Sequence, residues 1–483
     1  MRRRHPRVNK LIVSVAAVVT LLAAAPAPQT SSGWTILARD DIAAAHRLLV
    51  DNHPGFAPEA GDARLVDAER RAYAAAMAAT ARVRSLGGYR AALDLYLNAM
   101  GDGHIEAFPN TRPLRDRWPG FLVVPRGNRW EVVESTGDRA PSNGSAWLGC
   151  DNRDPEAIAA DRIGRFKPWV LPAHRRTNGA LLMLDRDNPF VTPLITCRFT
   201  NGGTASELRL AWRPISSADV ARRLAAATQL APGRFDLRTA PDGALWIGYG
   251  EMSGRVDPVL AVLASDPERI RRAPYVVVDA RGNPGGDSRF ADRLAALLFD
   301  PNVVTAADRK IAGDNFQSWR ASAGNAADLR QTARDNPDDA AWLNDLAKEM
   351  DVAIRARRSF VTPLPPRPWP APAAMAPSAD PTAARVLILS DPMCFSSCLV
   401  LVDRFRRYGA AHIGLPSDVS TNYLSGRIVE LPSGLSRLIV MRVIGIGSNG
   451  YTVPIEPAAS YDGDMTDEKA VMAWVSGLRQ PVR

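Results

Sequence analysis

The sequence predicts an α/β protein of more than one domain, and three observations carry that prediction. Two β-type runs, Tyr275–Asp279 (YVVVD) and Arg385–Ser390 (RVLILS), each pass through a short loop into a helical stretch. Continuous apolar runs of this length belong to strands buried on both faces, as in parallel sheets. Residues 31–100 are rich in Ala, Leu and Arg at helical spacing, whereas 116–215 breaks into short β-type runs separated by Gly, Pro, Asn and Asp. At 483 residues the chain exceeds what one compact core holds.

The first thirty residues read as a signal peptide. Arg2, Arg3, Arg4, Arg7 and Lys10 precede Leu11–Ala25, an uncharged apolar run of 15 residues, too short to span a bilayer comfortably. Ala23-Ala24-Ala25 and Ala25-Pro26-Ala27 both offer small residues for cleavage, each followed by proline, and an uncleaved anchor is the lesser alternative. A periplasmic or secreted location is expected. Removing the five cations from a net charge of +9 leaves +4 on the mature chain, so composition gives no support to a nucleic-acid partner.

The helical region is expected over 31–115. Asp40-Asp41 precede IAAAHRLLV, Ala63–Arg84 continues the pattern, and Tyr89–Met100 has an apolar face that stops at Gly101-Asp102-Gly103. A β domain follows over 116–215, with FLVVP, RWEVVE, AWLGCD and ELRLAW as strands. Within it, Gly137–Ile158 reads as a turn, a strand at Ala146–Cys150, a tight Asp-Asn turn and a helix start. The α/β core is expected over 216–483. It contains helices at Ser217–Ala227, Arg289–Leu298 and about Leu399–Tyr408, and a polar helical insertion near 301–360. Pro363–Pro377 is a proline-rich linker or loop.

The four cysteines admit three pairings, and export permits disulfides. Cys150 with Cys197 is the preferred pair, since both fall in the β domain. Cys394 and Cys398 flank Ser396-Ser397 and either pair with each other or remain buried small hydrophobes. No histidine stands at metal-ligand spacing beside either pair, and no metal or cofactor is expected.

Chemistry concentrates at the C-terminal ends of the two buried strands, where α/β proteins place ligands against free helix N–H groups. Gly282, Gly285 and Gly286 bring bare backbone amides into one loop, which lacks the Lys-Ser/Thr pair of a phosphate-binding loop. Uncharged N–H donors suit an oxyanion better. At the second strand, Ser396 and Ser397 occupy a strand-to-helix turn, the position of an exposed nucleophile. Serine needs a base, because its hydroxyl is barely ionised at neutral pH. Of the six histidines, His5 is in the leader, and His46 and His412 suit structural roles. His104, closing the Gly-Asp-Gly-His turn, is expected to be the most exposed and positionable.

Four segments, in order, carry a family resemblance. They are Asp51-Asn52-His53-Pro54, the LYLNAMGDGH segment ending at His104, VDARGNPGG (Val278–Gly286), and VLILSDPMCFSSCLVLVDRFRRYG running on to His412. Together they resemble the tail-specific or carboxyl-terminal processing protease family, in its tricorn-core-like branch, over nearly all of the mature chain. The resemblance implies a crotonase-like catalytic core. It also implies that the β domain is a degenerate PDZ-like module, which would bind peptide or unfolded protein substrates by strand addition. In that family the nucleophile lies twelve residues before a Tyr-Gly, and Tyr408-Gly409 puts it at Ser396. Gly285, Gly286 and Ser397 are then the oxyanion-hole candidates. A lysine base of the other branch would fall on Thr421, and none of the five lysines is there, so His104 is the expected base. The family's orienting acid has no counterpart at its clearest match, Asn449. Glu456 is taken in its place, with Asp464 and Glu106 as further candidates, and Leu399 stands where processing proteases often carry Glu. The implied activity is peptide hydrolysis through an acyl-enzyme. The rivals are an inactive peptide-binding homologue and a serine esterase.

Overall fold

The computed structural model describes residues 31–110, 116–137, 139–312, 316–363, 385–446 and 450–478. The leader 1–30, nearly all of the proline-rich run and Asn449 lie outside these residues. At the centre is a six-stranded sheet in the order Ala459–Ser460, Ala411–Gly414, Arg385–Ser390, Tyr275–Asp279, Leu245–Gly248, Leu237–Thr239. All pairs are parallel except the last. Every residue of Tyr275–Asp279 is buried because both faces are covered. Val276, Val278 and Ile388 pack against Leu263, Leu294 and Phe405 from the helices Asp257–Ser265, Arg289–Leu298 and Ser397–Arg407. On the other face Val277, Leu387 and Leu389 meet Val471 and Val475 of the helix Glu468–Gly477. This two-sided burial is why the strands lack polar alternation.

Three helices, Ser31–Asn52, Ala63–Ala79 and Leu86–Asn98, share a core with the hairpin Tyr423–Glu430 and Ser436–Ile446. A buried carboxylate fixes the junction. Asp41 accepts from Tyr89 Oη at 2.5 Å, and from Ser433 N and Oγ at 2.9 and 2.5 Å. The five strands Leu122–Arg126, Arg129–Val133, Ala146–Cys150, Thr196–Asn201 and Thr204–Arg209 form an antiparallel meander with its own core. Its Asp-Asn turn is a left-handed pair, φ 52° at Asp151 and 59° at Asn152, and Asp154 caps the following helix Pro155–Ala159. Such conformations suit Asp and Asn, whose short polar side chains tolerate positive φ. Cys150 and Cys197 lie opposite each other across two of these strands and are bonded, and Cys394 is bonded to Cys398.

One element departs from expectation. The segment 301–360 is not purely helical: Phe316–Arg320 and Phe360–Val361 are strands in a second antiparallel sheet with Ser436–Ile446, Ala107–Pro109 and Tyr423–Glu430. The helices Ala323–Asp335 and Ala340–Arg355 pack on it through Leu329, Leu343, Leu346 and Val443. A five-residue strand paired only over long range leaves no periodic signal in the sequence.

The Cys150–Cys197 bond closes a loop between residues 47 apart in sequence, which by chain entropy stabilises the meander by about 4 kcal/mol. Replacing both by serine is therefore expected to lower the urea midpoint of the unfolding phase reported by Trp130 and Trp147 fluorescence. Reductant should then produce no further loss in that phase.

Candidate active site

Strand Arg385–Ser390 delivers the chain into a loop that turns at Ser396 and becomes the helix Ser397–Arg407. Ser396 has φ 54° and ψ −123°, a strained conformation for a residue with a side chain. The strain presents Oγ at the helix N-terminus, 3.0 Å from His104 Nε2. Two hydrogen bonds close the turn, Cys398 N to Phe395 O and Leu399 N to Ser396 O, both 3.0 Å, and the Cys394–Cys398 disulfide straddles it. The neighbouring Ser397 hydroxyl is otherwise engaged, donating to Gly286 O at 2.6 Å. Geometry thus separates the two serines.

His104 is 8% exposed, so the expectation of an exposed histidine is corrected: its ring is packed against Phe395, with centroids 4.7 Å apart. Asp102, in the same turn, accepts the His104 backbone N–H at 2.9 Å, and its Oδ1 lies 3.5 Å from His104 Nδ1, at ion-pair rather than hydrogen-bond distance. Thr421 Oγ1 donates to the other oxygen at 3.1 Å. Burial alone would raise the Asp102 carboxyl. The hydrogen bonding and proximity of His104 outweigh it and hold the group below its usual value. His53 is fully buried, and its Nδ1 accepts from Gly55 N, which leaves the proton on Nε2, 3.9 Å from Asp102 Oδ2. Burial pushes His53 down to about 4, so it stays neutral.

Glu456 is not brought to His104, and the assignment of the orienting acid moves to Asp102. The Glu456 side chain is exposed, and its carbonyl lies 3.2 Å from His412 Nδ1. Asp464 accepts from Thr466, and the backbone carbonyl of Glu106 accepts from Ile439 N. The signal for Asp102 was present in the Gly-Asp-Gly-His turn, because an Asp side chain readily bonds the backbone two residues on.

The glycine loop lies against the serine turn. Gly285 has φ 101°, and a Cβ there would stand 2.7 Å from Phe395 O and 2.8 Å from both Ser396 Cβ and Ser397 N. Only glycine allows that approach. The Gly285 N–H, however, is already donated to Asn283 Oδ1 at 2.8 Å, which removes it from the expected oxyanion donors. Gly286 is bracketed by Met252 N to Gly285 O (2.8 Å) and Asp287 N to Met252 O (2.7 Å), and its own N–H makes no hydrogen bond among the described residues. Ser397 N–H is the first of its helix, with no preceding turn to satisfy it. Gly286 and Ser397 are therefore the available pair.

Buried charges hold both loops. Arg281, 2% exposed, forks onto Asp279 at 2.7 and 2.6 Å and reaches Met465 O and Glu468 of the C-terminal segment. Asp391, fully buried, accepts Gly282 N at 3.0 Å and Met393 N at 2.9 Å, so one carboxylate joins the glycine loop to the serine loop. Burial pushes its carboxyl up to about 6, against the opposing pull of those N–H bonds and Arg281. Beside the dyad opens a cleft of about 310 Å³, walled by Gly103, Glu106, Pro284, Pro392 and Phe395.

No protein-family model matches the chain, and no curated protein does. Solved structures do. Mature CPAF superposes with a TM-score of 0.55 at 13% identity, over 92% of this chain and 97% of that one. Its complex with lactacystin gives 0.55 at 14% identity over 92% and 98%, and a serine-to-alanine CPAF mutant 0.55 at 13% over 93% and 99%. The chain therefore has the mixed α/β fold of CPAF along nearly its whole length.

Asp391 yields a signed pH effect. Its pKa is raised in the folded state, so its contribution to stability is fully present below its unfolded value near 3.8 and is lost as pH rises through about 6. Between pH 4 and pH 6.5 the wild type should lose about 2 kcal/mol relative to Asp391→Asn. Denaturant titrations at successive pH values measure this; parallel curves would contradict it.

Proposed function

We propose that this chain is an exported serine peptidase of the tail-specific processing type, hydrolysing peptide or protein substrates through an acyl-enzyme. The observation that carries the reading is the 3.0 Å contact from His104 Nε2 to the hydroxyl of Ser396, a residue held in a strained turn. The N–H groups of Gly286 and Ser397, unengaged among the described residues, supplement it. The parallel sheet clad by helices on both faces supports a crotonase-like core, and the five-stranded meander supports a PDZ-like module. The likeness to CPAF, which binds lactacystin, supports the peptidase class. The basic, then apolar, leader supports export to the periplasm or medium.

In the proposed reaction Ser396 Oγ attacks the scissile carbonyl while His104 Nε2 takes its proton. The developing oxyanion is received by the N–H groups of Gly286 and Ser397, which are fixed before the substrate arrives and need no reorganisation. Asp102, ionised and buried, stabilises the imidazolium that forms, once Nδ1 closes from 3.5 Å to hydrogen-bond distance. His104 then protonates the leaving amine. Water repeats the sequence on the ester: His104 removes its proton, and Ser396 leaves with that proton restored.

Thr421 stands where a lysine base would lie in the other branch, and here its hydroxyl holds the acid of the histidine system. Against casein, Ser396→Ala should lower kcat by roughly 10⁶-fold. Asp102→Asn should lower it by roughly 10²- to 10⁴-fold, and Thr421→Val by about tenfold. Glu456→Ala should leave the rate unchanged. Short acyl esters assayed beside casein separate peptidase from esterase. A correctly folded wild type inert to both would mark an inactive homologue.

A further inference from the structure

The segment that carries the nucleophile is held by its two ends and hardly at all along its length. Phe395 N donates to Asn283 O at 3.4 Å, a long bond. Among the described residues, the N–H groups of Ser396 and Ser397 donate to nothing. Gly285 packs against the segment without bonding to it. The ends are firm. Cys394 N donates to Asp391 O at 2.9 Å, and Cys394 O accepts from Asp418 N at 3.1 Å. Cys398 lies in the helix Ser397–Arg407, and both cysteines are fully buried in the core that packs on the central sheet. One covalent bond joins these two anchors, which are four residues apart.

Turns and helix starts are ordinarily fixed by hydrogen bonds from their own amides. A turn that presents an amide to an oxyanion cannot also tie that amide up. Ser396 is moreover in a left-handed conformation that persists only where its surroundings over-determine it. A cross-link between the flanking residues meets both requirements. Stabilisation alone explains this bond poorly, since closing four residues removes less chain entropy than closing the 47 between Cys150 and Cys197. Resting on the peptidase reading above, we propose that Cys394 and Cys398 are positioning residues whose bond fixes the span of residues 395–397. The bond holds Ser396 in its turn and leaves the Ser397 N–H open to substrate. Activity is thereby tied to export: with both thiols reduced, as in a reducing cytoplasm, the turn is loose and the enzyme weak.

The test compares two variants of the chain from residue 31 onward. Cys394→Ala with Cys398→Ala removes the bond across the turn, and Cys150→Ser with Cys197→Ser removes the one in the meander. Against casein, the alanine pair should lower kcat by roughly 10²-fold, the cost of displacing a reacting atom by about 1 Å, with KM changed by less than about twofold. The serine pair should keep the wild-type kcat despite its lower urea midpoint. Hydrogen exchange read by mass spectrometry follows the turn without relying on hydrolysis. The amides of Cys398 and Leu399, which bond back to Phe395 and Ser396, should exchange at least about tenfold faster in the alanine pair and not in the serine pair. In the serine-pair background, reduction should reproduce the loss of rate. Oxidised glutathione, which accepts the two electrons and two protons of the thiols, should restore it. Wild-type kcat, or unchanged exchange at the turn, in a folded alanine pair overturns the proposal, and so does a reduced chain as active as the oxidised one. If the alanine pair does not fold, the reduced chain decides. The two readings fail separately. Faster exchange at the turn, in a protein whose wild type hydrolyses nothing, supports the positioning and sinks the peptidase. Hydrolysis indifferent to the bond sinks the positioning alone.

Discussion

Close backbone contact between the glycine loop and the serine turn is the constraint from which the rest of the site follows. Without a side chain at Gly285, the loop comes within van der Waals reach of Phe395, Ser396 and Ser397. That approach brings the loop carrying Gly286 against the first turn of the serine helix. It also fills the space beneath the turn, so that a serine with φ near 54° is held in a conformation it would leave in isolation. The Ser397 hydroxyl, bonded to Gly286 O, adds a second tie across the same seam. Strain at Ser396 and close packing at Gly285 are two descriptions of one arrangement.

Charge burial makes that arrangement rigid. Desolvating Asp279, Arg281 and Asp391 is costly, and each is compensated by several hydrogen bonds rather than by one partner. Arg281 links the glycine loop to the C-terminal segment through Met465 and Glu468, and Asp391 links it to the serine loop. The histidine arrives from a different part of the chain, at the end of the helical region. Its turn is braced by Asp102, which in turn is braced by Thr421. Three distant stretches of sequence therefore meet at one hydroxyl.

Local pattern revealed much of this, and long-range pairing hid the remainder. The β-branched runs at Tyr275–Asp279 and Arg385–Ser390 signalled buried parallel strands because both faces of each are covered. The family resemblance, rather than local pattern, singled out Ser396 through its distance to Tyr408-Gly409 and His104 through the lack of a lysine at Thr421. The sheet that joins Phe316–Arg320 to Ser436–Ile446 left no trace, because its strands are short and lie far apart in sequence. The choice between Gly285 and Gly286 as donors turns on where the Asn283 side chain points, which no spacing encodes. Asp102 is legible in the Gly-Asp-Gly-His turn, two residues before the base, whereas the family pattern points to an acid in the C-terminal segment.

The central claim is that Ser396, and not its neighbour, is the nucleophile. Covalent labelling with a fluorophosphonate followed by peptide mapping in a mass spectrometer tests it most directly. The account predicts a single adduct on Ser396, lost when His104 is replaced by alanine. An adduct on Ser397, or none on protein whose fold is intact, would contradict it.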